Sequence, residues 1–209
     1  MESQAHPAAI EKRRFKLTPG ILFLLVGILV GGAYCVFIPF GAGFDEETHL
    51  ARIWEISSLH LLANDSGKGD TLFVPGTFFD LSYQRRYFLS PALNLLQAPL
   101  VNQTIDHNSI ILYGTRSVYP PNIFFPQALV VGVAWRLFDL PIVPVNIVAR
   151  LAGLLIYLAG GYFTIRFLPV GKWVMFALAV SPMALFQAAT LNADGYTQLE
   201  VYLNSLVNP

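Results

Sequence analysis

Gly43-Phe44-Asp45-Glu46-Glu47-Thr48-His49-Leu50-Ala51-Arg52 follows closely on an uncharged apolar run, Ile21 to Phe40. That run has the length of a bilayer crossing, about 20 residues, so the acids, the imidazole and the guanidinium emerge where hydrocarbon gives way to water. If the chain is helical from Glu46 onward, positions i, i+4 and i+7 put Asp45, His49 and Arg52 on one face. Leu50, Ile53, Trp54, Leu61 and Leu62 are then free to meet membrane or protein. A helix over 46–62 is expected.

Composition agrees with a lipid setting. Of 209 residues, 55% are hydrophobic and 12% charged, and the mean hydropathy is positive. These values point to an all-α integral membrane protein rather than one soluble domain. Net charge is zero, which removes the electrostatic case for nucleic-acid binding. The single Cys35 excludes an internal disulfide and reads as a packing residue. Lys12, Arg13, Arg14 and Lys16 precede the first apolar run, so the tail 1–18 is expected in the cytoplasm. Gly41-Ala42-Gly43 faintly resembles a signal-peptidase site, but the run before it exceeds the roughly 7–15 residues of a signal sequence, and an uncleaved anchor over 19–40 is the reading.

The stretch 41–146 then reads as a large extracytoplasmic loop with amphipathic helices at 46–62 and 122–138. Ile123 to Phe138 is interrupted by Pro126 and contains Gln127 and Arg136. It falls short of the about 20 residues of a full crossing and is expected to lie in the interface. Further transmembrane helices are expected at 147–168 and 172–191, with Arg166 and Lys172 in the cytoplasmic turn between them. Three crossings deliver Asn192-Ala193-Asp194-Gly195 to the side of Asp45; a fourth, through 122–138, would separate the two acids. The remainder, 192–209, reads as the start of another segment in a chain cut from a longer one.

Asp45, Glu46, Glu47 and His49 offer oxygen and nitrogen ligands within about one helical turn. Asp194 would complete a divalent-cation site, for Mg or Mn, with Asp45 and His49, or serve as a second carboxylate. The structural alternative is that Asp45 caps the helix, that Glu46 and Glu47 complement its dipole, and that Asp194 caps a helix beginning near Gly195. Arg85 and Arg86 suit a phosphate or diphosphate, or simply anionic headgroups. Arg150, at the outer end of a span, reads as a snorkelling anchor or as a partner of a lipid phosphate. The sequence has no phosphate-cradling glycine loop, nucleophile elbow or His-Glu-x-x-His, so a soluble hydrolase or nucleotide enzyme is not supported.

Three motifs together carry a resemblance. They are Asp45-Glu46-x-x-His49-x-x-Arg52 after a first span, Tyr119-Pro120-Pro121 before an apolar helix, and Ser181-Pro182-Met183-Ala184-Leu185-Phe186-Gln187-Ala188-Ala189-Thr190-Leu191-Asn192-Ala193-Asp194-Gly195. They resemble a bacterial family of membrane proteins known as domain of unknown function 2142. That family is similar in turn to the GT-C membrane glycosyltransferases, and the likeness covers the N-terminal part of such enzymes. The resemblance implies a GT-C-like helical bundle in the inner or plasma membrane. It also implies transfer of a sugar from a polyprenyl-phosphate carrier to a cell-envelope glycan or lipid acceptor, with other membrane subunits as further partners. Asp45 with Glu46 would be catalytic, Asp194 the second acid and His49 and Arg52 supporting residues; Arg85, Arg86 and Arg150 would hold the carrier phosphate. The rival functions are a non-catalytic assembly or carrier-binding subunit, and a transporter fragment with its acids on an ion path. Transporters place such acids at bilayer mid-depth rather than at the mouth.

Overall fold

The computed structural model describes residues 17–61, 71–75, 110–114 and 119–207. The first apolar run forms one continuous rod, Pro19–Phe37. Its parts are α1 (Pro19–Val26), a π-helical turn (Gly27–Gly31) and α2 (Gly32–Phe37). Thr18 caps the start, its Oγ1 accepting from Ile21 N at 3.3 Å, and Pro19 stands where the missing N–H is harmless.

Next come α3 (Glu46–Ser57), β1 (Thr71–Pro75) and β2 (Ile110–Gly114). The strands pair antiparallel, Thr71 opposite Gly114 and Pro75 opposite Ile110. The helical class holds, and this short ladder is added to it inside the stretch expected to be a loop. α3 stops before the expected Leu62. Leu59 takes a left-handed φ of 67°, and the Arg52 guanidinium draws the following chain back by donating to Leu61 O at 2.7 Å.

A short 3-10 turn, Pro121–Phe124, leads into α4 (Phe125–Arg136), followed by α5 (Ile142–Phe167). α5 begins earlier than expected because Pro144 falls in its first turn, where proline fits. Among the described residues, Pro19–Phe37 and Ile142–Phe167 are the helices long and apolar enough to cross a membrane. The span expected over 172–191 is corrected to two short helices, α6 (Lys172–Ala179) and α7 (Pro182–Ala188). Pro182 cannot continue a helix from α6, so Ser181 starts a new one, its Oγ accepting from Ala184 N at 3.4 Å. The broken pair still climbs beside the first rod, α6 against α1 and α7 against the π turn. Finally α8 (Asp194–Val207) runs along α5.

Two hydrophobic cores result. One, at the Phe37 end of the rod, joins α3 and α4 to the first turns of α5 through Leu50, Ile53, Phe124, Val131 and Val145. The other, along the rod, joins α1 and α2 to the rest of α5 and to α6 and α7 through Phe23, Leu154, Tyr157 and Leu185. Close approach in the second depends on small residues: a Cβ on Gly31 would lie 2.7 Å from Leu154, and one on Gly27 2.3 Å from Leu158. Glycines four apart on one helix face are a device for packing helices in lipid. Arg150 lies at the seam between the two cores.

Candidate functional site

Glu46 and Arg150 form the seam. Both are 1% exposed. Glu46 Oε1 accepts from Arg150 Nε at 2.6 Å and from Leu191 N at 3.2 Å. Its Oε2 accepts from Arg150 Nη2 at 2.7 Å and from Gly43 N at 3.0 Å. The remaining guanidinium protons go to backbone oxygens, Cys35 at 3.1 Å, Ile38 at 2.7 Å and Pro39 at 2.9 Å. Those carbonyls end the first rod, where a helix has no partners of its own to offer them. One ion pair therefore ties together the end of the rod, the start of α3, the middle of α5 and the segment after α7. Gly43 permits the turn to close, since a Cβ there would lie 2.8 Å from Thr190.

This corrects two sequence expectations. Arg150 is neither a snorkelling anchor nor available for a carrier phosphate, because all five of its N–H donors are engaged within the protein. Glu46 is likewise a poor catalytic base: each carboxylate oxygen already accepts two bonds. Arg150 also sets a depth. From Arg150 to Phe167, α5 extends about 26 Å at about 1.5 Å per residue, close to the about 30 Å of a hydrocarbon core. The turns before Arg150 thus project past the first rod with α4 packed on them and α3 packed on α4.

Asp45 behaves differently from its neighbour. It occupies the N-cap position of α3 with a left-handed φ of 51°, and its side chain makes no capping hydrogen bond. The expected capping role is not what holds it there. Its carboxylate is exposed. Asp194 is also exposed and opens α8; Gln187 Nε2 donates to its Oδ2 at 3.0 Å. The cap at this helix start is Asn192, whose Oδ1 accepts from Gly195 N at 3.1 Å.

His49 lies between the acids and an aromatic wall. Its ring centroid is 5.3 Å from that of Tyr119 and 5.4 Å from that of Phe124. Burial pushes its pKa below the ordinary 6.5, and the charges of Asp45, Asp194 and Glu46 pull it partly back. Both Asp45 and Asp194 are therefore within electrostatic reach of one imidazole. A depressed imidazole pKa means that the unfolded chain binds more protons than the folded one below the ordinary value. Stability should accordingly fall as pH drops through the window beneath 6.5. Thermal midpoints of wild type and His49→Gln in lipid nanodiscs, taken from about pH 5 to about pH 8, should show this slope in the wild type and a flatter one in the variant.

Other expected site residues fall elsewhere. Arg52 is buried midway along α3, and its guanidinium pairs with Glu55 and donates to Leu61 O at 2.7 Å; it ties down the helix end rather than supporting the acids. Arg85 and Arg86 lie outside the described residues. Among the described residues no group of three His, Cys, Asp or Glu side chains could hold a metal ion. The expected Asp45, His49 and Asp194 cation set does not assemble, with His49 turned to its aromatic neighbours and Asp194 held by Gln187.

The motifs at Asp45–Arg52 and Ser181–Gly195 thus converge on one structural feature, and a family model described as a predicted membrane protein, DUF2142, matches residues 28–203. The chain belongs to this family. No curated protein and no solved structure matches it. In this DUF2142 chain the sequence reading overlooked Gln187, although a Gln within an apolar run and seven positions before Asp194 is a readable signal for a second polar group on that face. Nothing in the sequence pairs Glu46 with Arg150, since their meeting depends on tertiary packing across 104 positions.

Proposed function

We propose that this DUF2142 chain is a GT-C-like membrane glycosyltransferase, or the N-terminal part of one. It takes a sugar from a polyprenyl-phosphate carrier at the outer face of the plasma membrane and passes it to an envelope glycan or lipid. The carrying observation is the division of labour between adjacent acids. Glu46 is fully engaged in the fold, while Asp45 is exposed, makes no capping bond and shares the mouth with Asp194 and His49. In this reading the Phe37 end of the rod faces outward and the basic tail lies in the cytoplasm.

The Asp45 carboxylate takes the proton of an acceptor hydroxyl as its oxygen attacks the anomeric carbon. The bond from that carbon to the phosphate oxygen breaks, and polyprenyl phosphate leaves with the electron pair. Arg85 and Arg86 are the candidates to stabilise the departing phosphate, Arg150 having been withdrawn from that role. Asp45 follows the end of the rod by a few residues, and its neighbour Glu46 pairs with the Arg150 that binds the Ile38 and Pro39 carbonyls, which supports this reading over a mid-bilayer ion path. The test is a proteoliposome assay with radiolabelled polyprenyl-phosphate sugars. Transfer to a lipid or glycan acceptor supports the reading, and carrier binding without transfer favours the assembly-subunit alternative.

A further inference from the structure

A cleft open to solvent lies between α4, α5 and the junction of α7 with α8. Its polar wall is made of Gln127, Gln187, Thr190, Asn192 and Tyr196, and Gly153 lies in its floor. A Cβ on Gly153 would come 2.9 Å from Gln127 Nε2, so glycine makes room for the Gln127 amide in this wall. No Lys, Arg, His, Asp or Glu is among the lining residues. The carboxylate of Asp194 stands at the edge, reached through a relay of amides: Gln198 Nε2 donates to Gln187 Oε1, and Gln187 Nε2 donates to Asp194 Oδ2 at 3.0 Å.

One atom in this wall has no structural employment. Gln127 Oε1 is buried and has no hydrogen-bond partner among the described residues. Gln127 stands on α4 in an otherwise apolar sequence, Phe125 to Trp135, where leucine would pack without leaving a buried acceptor unsatisfied. An amide wall offers donors and acceptors side by side and no net charge. Hydroxyl groups, each both donor and acceptor, match such a wall; a phosphate, which only accepts and carries charge, calls for guanidinium, ammonium or clustered N–H groups.

We propose that this cleft binds an uncharged polyhydroxylated ring, a neutral sugar, and leaves the phosphate outside. Its place in a reaction rests on the transferase reading above, with the bound ring presenting a hydroxyl toward the Asp194 rim. Binding itself can be measured without transfer. Gln127 and Gln187 are then binding residues, and Gly153 is a space-keeping one.

The probes are methyl glycosides of glucose, mannose and N-acetylglucosamine, added at millimolar concentration to the whole chain in nanodiscs and followed by saturation-transfer NMR, with inorganic phosphate as competitor. At least one glycoside should bind, phosphate should not displace it, and Gln127→Leu and Gln187→Leu should each weaken binding about tenfold or more. Gln127→Leu should melt at or above the wild-type temperature, which separates lost binding from lost folding; Gly153→Leu should block the cleft. Absence of binding by all three glycosides, displacement by phosphate, or unchanged affinity in both leucine variants overturns the assignment. A wild type that binds a glycoside but transfers no sugar would instead overturn the transferase reading and leave the cleft assignment standing.

Discussion

Arg150→Met should destabilise the protein by about 3–5 kcal/mol, the range for removing one partner of a buried ion pair. The loss has two parts. Glu46 is left as a buried carboxylate without its counter-ion, and the carbonyls of Cys35, Ile38 and Pro39 lose the donors that close the end of the first rod. Glu46→Gln should lose less, because an amide keeps the shape and one oxygen can still accept from Leu191 N or Gly43 N. Joining Glu46→Leu to Arg150→Met should recover part of the loss, since replacing a whole buried pair by apolar groups is often close to neutral. Recovery stays incomplete while the three carbonyls have no donor. Thermal unfolding of wild type, Glu46→Leu, Arg150→Met and the double variant in nanodiscs, read as a double-mutant cycle, gives the coupling directly. An Arg150→Met protein as stable as wild type would remove the seam from the fold's energetics.

Asp45→Asn carries the second large effect, on rate rather than stability. Loss of a general base typically lowers turnover by about a hundred- to ten-thousandfold, and transfer in the proteoliposome assay should fall by that much. Asn is the appropriate replacement because it tolerates the left-handed φ of 51° that position 45 adopts. The exposed carboxylate makes no capping bond, so the melting temperature should barely move. Glu46→Gln makes the contrasting partner: it should lower stability first and activity only as a consequence. Equal transfer by Asp45→Asn and wild type would sink the assignment of Asp45 as the base.

The sequence made the first rod legible because lipid demands a long uncharged run and Ile21 to Phe40 supplies one. α4 was legible through Pro126 and Arg136, which mark it as too short and too polar for a crossing. The break between α6 and α7 was missed because hydropathy averages over Pro182, whereas the backbone cannot. Counting crossings led to the expectation that Asp45 and Asp194 share one side, and both charges act on the His49 imidazole. Glu46 and Arg150 could not be separated from the site in the same way, since a charged residue beside a membrane reads alike whether it faces a substrate or a buried partner. Arg52 misled for a related reason. Helical spacing puts it on the face of Asp45 and His49, but its length lets the guanidinium reach the carbonyls beyond the helix end.

The sidedness of the two acids is the most direct measurement. In a Cys35→Ala background, single cysteines at exposed positions 42, 194 and 170 would be treated in intact cells with a membrane-impermeant thiol reagent. Ala42→Cys and Asp194→Cys should label from outside, and Val170→Cys, in the turn between α5 and α6, only after permeabilisation. Protection of Asp194→Cys in cells that label Ala42→Cys would put the acids on opposite sides of the membrane and contradict the shared external site.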